Sequence, residues 1–129
     1  MSETTRTAEV RLPADGAYAY VLRTTAAALA ARVDFTLDDI EDLRIAVSEA
    51  LSLLLDSAAP DADLTATFTL SPGRMVIEVS APTAPGSDGA DIEGFAWQVL
   101  SALAEDASLD WRDGHQVLSL TMLSTLAAH

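Results

Sequence analysis

The stretch LDDIEDLRIAVSEALSLLLDSA, from about Leu37 to Ala58, constrains the fold more than any other. Its apolar residues recur at helical spacing on two faces. Leu43, Val47, Ala50, Leu51, Leu54 and Ala58 form one stripe, and Ile45, Glu49 and Leu53, at i, i+4 and i+8, form a second. A helix this apolar on two sides has to be covered on two sides. Thr36 is a good N-cap for it, and Asp38 and Asp39 in the first turn complement the helix dipole. Glu49 lies between an acidic first half and a leucine-rich second half. It is either a working carboxylate or a charge on a helix surface.

The flanking segments supply the cover. TRTAEVRL, Thr5 to Leu12, alternates polar and apolar residues and predicts a short strand. PADG breaks it, and Asp15 caps a first helix over about Gly16 to Val33. Tyr18, Leu22, Ala26, Leu29 and Val33 form the expected core face of that helix; Ala19, Arg23, Ala27 and Ala30 lie on a different, flat face. LTATFTLS and RMVIEVSA alternate around Pro72-Gly73 and predict a hairpin. The polar segment PTAPGSDGADIE is expected to be a mobile loop. GFAWQVLSALAED predicts a third helix with Phe95, Val99 and Leu103 inward and Trp97 turned away from that face. ASLDW and QVLSLTML follow, joined by a second hairpin at Asp113-Gly114.

The order β-α-α-β-β-loop-α-β-β lacks βαβ alternation. It predicts an α+β fold: a two-layer sandwich, with a mostly antiparallel sheet and helices on one face. The 129 residues, half of them hydrophobic, suit a single domain over 1–129 with a core that needs no staples. No cysteine is present, which excludes a disulfide scaffold, a thiol nucleophile and a Cys-ligated zinc site. The two histidines, His115 in a loop and His129 at the end, do not suggest a metal site.

The net charge is −13, and all seven basic residues are arginines. Such a surface repels phosphate backbones and anionic lipid, so neither nucleic acid nor membrane is an expected partner, whereas a basic protein is. MSETTRTAEV has no basic region followed by an apolar run, so a signal peptide is not expected and the reading is a soluble, cytoplasmic protein.

Three segments in order resemble the GHKL-type anti-sigma factors, the RsbW-like serine kinases. DLRIAVSEA resembles the family's N-box helix. GFAWQVLSALAED is similar to the glycine-plus-helix segment after the ATP lid, and RTTAAALAARVD to the first helix. The resemblance implies the Bergerat, or histidine-kinase-like ATPase, fold. It places Glu49 at the general base and Gly94 at the nucleotide-binding glycine. It places Arg23, with Ala19, Ala27 and Ala30 on its face, at the partner-contacting surface, to which Trp97 is a further candidate.

Two positions depart from the family pattern. Four residues after the general base the family has an asparagine that helps hold Mg²⁺; here it is Leu53, which has no lone pair to offer. Near the aspartate that reads adenine stands Ala81, and SDGADIEG is not the expected D-x-G-x-G. The segment Pro82 to Glu93 carries Asp88, Asp91 and Glu93 and no basic residue, so it would face phosphate with like charge. The expectation is therefore an anti-sigma factor of the stress-response type. It binds an alternative sigma factor, is released by an anti-anti-sigma protein, needs no cofactor, and is compatible with a homodimer. The alternative is an active serine kinase that uses Mg-ATP to phosphorylate the anti-anti-sigma protein.

Overall fold

The computed structural model describes residues 5–126. Residues 1–4, the start of the segment read above for a signal peptide, and His129 lie outside the described residues. The elements are β1 (Arg6–Pro13), a 3₁₀ turn (Gly16–Tyr18), α1 (Ala19–Ala31), α2 (Leu37–Ser57), β2 (Asp63–Ser71), β3 (Arg74–Pro82), α3 (Phe95–Leu103), β4 (Asp106–Arg112) and β5 (His115–Leu123). The strands form one sheet in the order β1-β2-β3-β5-β4, antiparallel at every pairing.

The register puts like with like. Val10, Ala66, Val79, Leu118 and Leu109 stand in one row across the sheet, and Ala8, Phe68, Ile77, Leu120 and Ala107 in the next. These apolar positions join residues of α1, α2 and α3 in a single core, so the helices cover one face only. Threonines 65, 67 and 69 of β2 take the alternate positions and face away. The β4–β5 hairpin turns through Asp113 (φ 51°) and Gly114 (φ 80°), the pair of left-handed residues that a two-residue hairpin loop needs.

α2 is the centre of the helical layer, contacting both α1 and α3. Thr36 and Asp39 close a reciprocal capping box at its start. Its two stripes differ in depth. Leu43, Val47, Ala50, Leu51 and Leu54 are buried; along the second stripe Ile45 is exposed, Glu49 half-buried, and Leu53 buried.

Two helix faces differ from the sequence-based expectation. In α1, Tyr18 is 40% exposed and sits in the 3₁₀ turn, and the helix ends at Ala31 rather than Val33. Ala27 and Ala30 are buried instead of presenting a flat outer surface. Arg23 reaches Ser48 of α2, so the face it shares with Ala27 and Ala30 turns toward α2. Alanines do allow close approach of a helix there, but the helix that approaches is the chain's own. In α3, Phe95 is 78% exposed while Leu100 is fully buried, with Ala96, Trp97 and Leu103 packed on the core around it. α3 is apolar on nearly every side, so periodicity does not fix its rotation. Burying the indole of Trp97 rather than the smaller ring of Phe95 removes more apolar surface from water.

Candidate functional site

Glu49, Leu53 and Ser57 follow one another at four-residue intervals on α2 and form a single stripe. The stripe sinks into the protein toward its C-terminal end. Glu49 is half-buried, Leu53 is 5% exposed and Ser57 4%. Among the described residues, the Glu49 carboxylate makes no side-chain hydrogen bond or ion pair; Arg23 Nη1 goes instead to Ser48 Oγ at 3.4 Å. Leu53 belongs to the core cluster, so the position that would hold Mg²⁺ in the resembled family is filled with hydrocarbon.

Ala81, near the end of β3, is 1% exposed and stands directly opposite Gln116 of β5. Gln116 was not singled out from the sequence. It is 1% exposed and both ends of its amide are engaged. Nε2 donates to Ser57 Oγ at 2.7 Å, and Oε1 accepts from the backbone N–H of Ala90 at 2.8 Å. One signal was available: in QVLSLTML, alternation places Gln116 on the same face as Leu118, Leu120 and Met122. A polar residue in an apolar register must find partners when buried.

The loop between β3 and α3, expected to be mobile, is tied down at several points. Ala59 N–H donates to Pro82 O and Ala84 N–H to Ser57 O, both at 2.8 Å. Gly89 has φ +92°, and a β-carbon there would lie 2.6 Å from Trp111 Cζ2 and 3.2 Å from Gln116 Cδ. Only glycine lets the loop lie this close to the indole. Thr83 Oγ1, at the base of the loop, is buried without a hydrogen-bond partner.

Gly94 is the N-cap of α3 in extended backbone (φ −83°, ψ 177°). The Asp91 carboxylate lies over it: a β-carbon on Gly94 would be 2.6 Å from Asp91 Oδ2, and Asp91 Oδ1 accepts from Glu93 N–H at 3.0 Å. The start of α3 therefore already has an anion beside it, and exposed Glu93 and Asp88 add to it.

Set against the pattern of the resembled family, the positions matched to its Mg-ATP groups are occupied differently here. The metal-holding position is a buried leucine, the adenine-reading position a buried alanine, and the amide beside that alanine is consumed by the chain itself. The Asp91 carboxylate stands beside Gly94, the position matched to the family's nucleotide-binding glycine. Among the described residues no group of three or more His, Asp or Glu side chains is placed to hold a metal ion. The concavities at the β2–β3 turn, beside Asp15 and Asp61, and at Pro72 and Leu126 are not lined by Glu49, Leu53, Ala81 or Gly94. Of the residues expected to meet a partner, Ala27 and Ala30 are buried and Trp97 packs on the core. Ala19 and Arg23 are half-buried.

The chain is 35% identical over 120 residues to the anti-sigma-F factor RsbW of Mycobacterium tuberculosis (strain H37Rv), a match covering 84% of this chain and 67% of that protein. The chain belongs to the RsbW family. The serine-protein kinase RsbW of Bacillus cereus (strain ATCC 10987) is 36% identical over 74 residues, covering 56% of this chain and 46% of that one. The RsbW-family chain thus spans about two thirds of the length of its mycobacterial relative and under half of the Bacillus one. Among solved structures it is similar to the RsbU and RsbW domains of Rv1364c from M. tuberculosis, with a TM-score of 0.67 at 19% identity, over 92% of this chain and 32% of that one. That likeness establishes the two-layer fold. No family model matches the chain. No helix among the described residues is long and apolar enough to cross a membrane.

Proposed function

We propose that this RsbW-family chain is an anti-sigma factor that sequesters an alternative sigma factor in the cytoplasm, yields it to a competing anti-anti-sigma protein, and does so without nucleotide. The observation that carries the sequestering role is the 35% identity to a protein named anti-sigma-F factor over most of this chain. The charge of −13 supports it, because sigma factors carry basic DNA-binding surfaces and opposite charge speeds and orients docking. The nucleotide-free part rests on Leu53, Ala81 and the engaged Gln116. A pocket built to hydrogen-bond a ligand discriminates strongly when those groups are missing, so the loss of both reading groups is expected to remove tight binding.

Active kinase chemistry is the second reading. Glu49 and Gly94 are present at the matching positions, and the Bacillus relatives are named serine-protein kinases. A carboxylate within reach of a proton is necessary for general-base catalysis and not sufficient for it.

Two experiments separate the readings. Size-exclusion chromatography of the protein mixed with purified alternative sigma factors tests sequestration; co-elution with one of them and with no other is the expected result. Calorimetric titration with Mg-ATP tests the nucleotide. Little or no heat of binding is expected. A low-micromolar, magnesium-dependent Kd, with phosphate transfer to a serine of the anti-anti-sigma protein, restores the kinase.

A further inference from the structure

Among the described residues Gln116 is one of four buried polar side chains, with Asp39, Ser57 and Ser124. A fully buried amide with both ends hydrogen-bonded joins three parts of the fold that are remote in sequence. Its backbone belongs to β5, its Nε2 reaches α2 through Ser57, and its Oε1 holds the Ala90 N–H of the loop before α3. The amide presents a donor and an acceptor side by side, next to Ala81, the position matched to the family's adenine-reading aspartate. That is the same pairing of groups a nucleobase edge offers. Trp111 closes the other side of the loop, its indole against the left-handed Gly89. We infer that Gln116 is a positioning residue: an internal strap that takes the hydrogen-bonding place of a nucleobase and holds the lid loop, residues 83–94, shut over the α2 stripe with no ligand bound.

The physical reason for a strap is burial. Ser57 and Gln116 are both nearly inaccessible, and their hydrogen bond at 2.7 Å forms where water does not compete. Opening the loop separates Ala90 from Oε1 and gives up a hydrogen bond made away from water, so the closed form is favoured without any outside partner. Gly89 is the consequence of the same arrangement, because any side chain there would meet Trp111. The inference rests on the nucleotide-free reading of the site, yet its test is separate: lid protection is read with no nucleotide present, and Mg-ATP titration is read on the wild type.

The experiment is residue-resolved amide hydrogen exchange on the full chain as wild type, Gln116→Ala and Ser57→Ala. In the wild type the Ala90 amide is expected to be protected although it lies in a loop. In Gln116→Ala its protection falls by about tenfold or more, corresponding to loss of one buried hydrogen bond, while the amides of Leu118 and Leu120 in the sheet keep theirs. Emission from Trp111 shifts to the red as the loop leaves it, read in a Trp97→Phe background. Ser57→Ala, which removes only a small group, moves the same amide in the same direction by less. An unprotected Ala90 amide in the wild type overturns the strap, as does unchanged protection in both variants. Loss of protection spread evenly over β3 and β5 overturns it too, since that reports general unfolding rather than release of the lid.

Discussion

Asp39 is the residue whose removal should destabilise this fold most for a single charged group. It lies in the first turn of α2 and is only 6% exposed. Its Oδ2 accepts four hydrogen bonds: from Thr36 N–H at 2.9 Å, Thr125 N–H at 3.1 Å, Ser124 Oγ at 3.2 Å and Thr125 Oγ1 at 3.3 Å. One carboxylate oxygen thus ties the start of α2 to the end of β5. Asp39→Ala breaks the capping box, which costs about 1 kcal/mol. It also strips the acceptor from Thr125 N–H and weakens the setting of Ser124, adding about 1–2 kcal/mol. Ser124 Oγ keeps a second acceptor in Asp34 O at 2.7 Å, and the exposed Thr125 hydroxyl can turn to water, so the total should not exceed about 3 kcal/mol. For a domain of this size that lowers Tm by roughly 10 °C.

The same carboxyl makes stability depend on pH. Burial pushes its pKa up, but the hydrogen bonds from the Thr36 backbone and side chain, the Thr125 backbone and the Ser124 hydroxyl together outweigh this and hold it below the ordinary 3.8. The unfolded chain therefore binds this proton first as pH falls. The stabilisation is complete above about pH 4 and drains away as pH drops through the lowered folded value. Thermal melts of wild type and Asp39→Ala from pH 7 to pH 3 check both statements. The gap in Tm should be constant near neutrality and narrow below pH 4. A gap under about 2 °C at pH 7, or one that does not narrow at all between pH 5 and pH 3, refutes the reasoning.

Two further outcomes follow from the site. Leu53→Asn puts an amide into the hydrocarbon core with no partner assured, so it should destabilise by about 2–4 kcal/mol in chemical denaturation, and an unchanged midpoint would show that the position is open to water. Arg23→Ala should weaken sigma binding by about 2 kcal/mol or more if that guanidinium is central to the interface, while its single long contact to Ser48 leaves Tm almost unmoved; equal affinity for Arg23→Ala, Arg32→Ala and wild type removes Arg23 from the surface.

The elements were legible because their signals are local. Thr36 with Asp39, the Pro72-Gly73 and Asp113-Gly114 turns, and the alternation of TATFTL and MVIEV each act within a few residues. What was not legible is rotation and long-range closure. α1 and α3 carry alanines and apolar residues on most sides, so which side turns inward depends on what α2 offers, and Phe95, expected inward, is exposed while Trp97 packs on the core. The strap joins residues 59 positions apart, and the Asp39 node joins residues 85 and 86 apart. A glutamine in an apolar register and an aspartate in a first turn flag that partners exist, but only the folded chain says which.

The replacements around the α2 stripe depend on one another. Leucine stands at 53 where the resembled family has an amide, and its apolar bulk has to be covered, as the core cluster does. Alanine at 81 presents only a methyl group and stands opposite Gln116 on the next strand, whose amide is buried. Once buried, the amide needs a donor and an acceptor; Ser57 and Ala90 supply them, and Ala90 can do so only if the lid is closed. Closure in turn needs glycine at 89 beneath Trp111. Placing Asn at 53 or Asp at 81 singly would therefore add a buried polar group to a region whose hydrogen bonds are already closed, which costs stability. On the proposed nucleotide-free reading, the buried leucine at 53 and the tied loop are two sides of one packing solution, closed by the chain's own side chains.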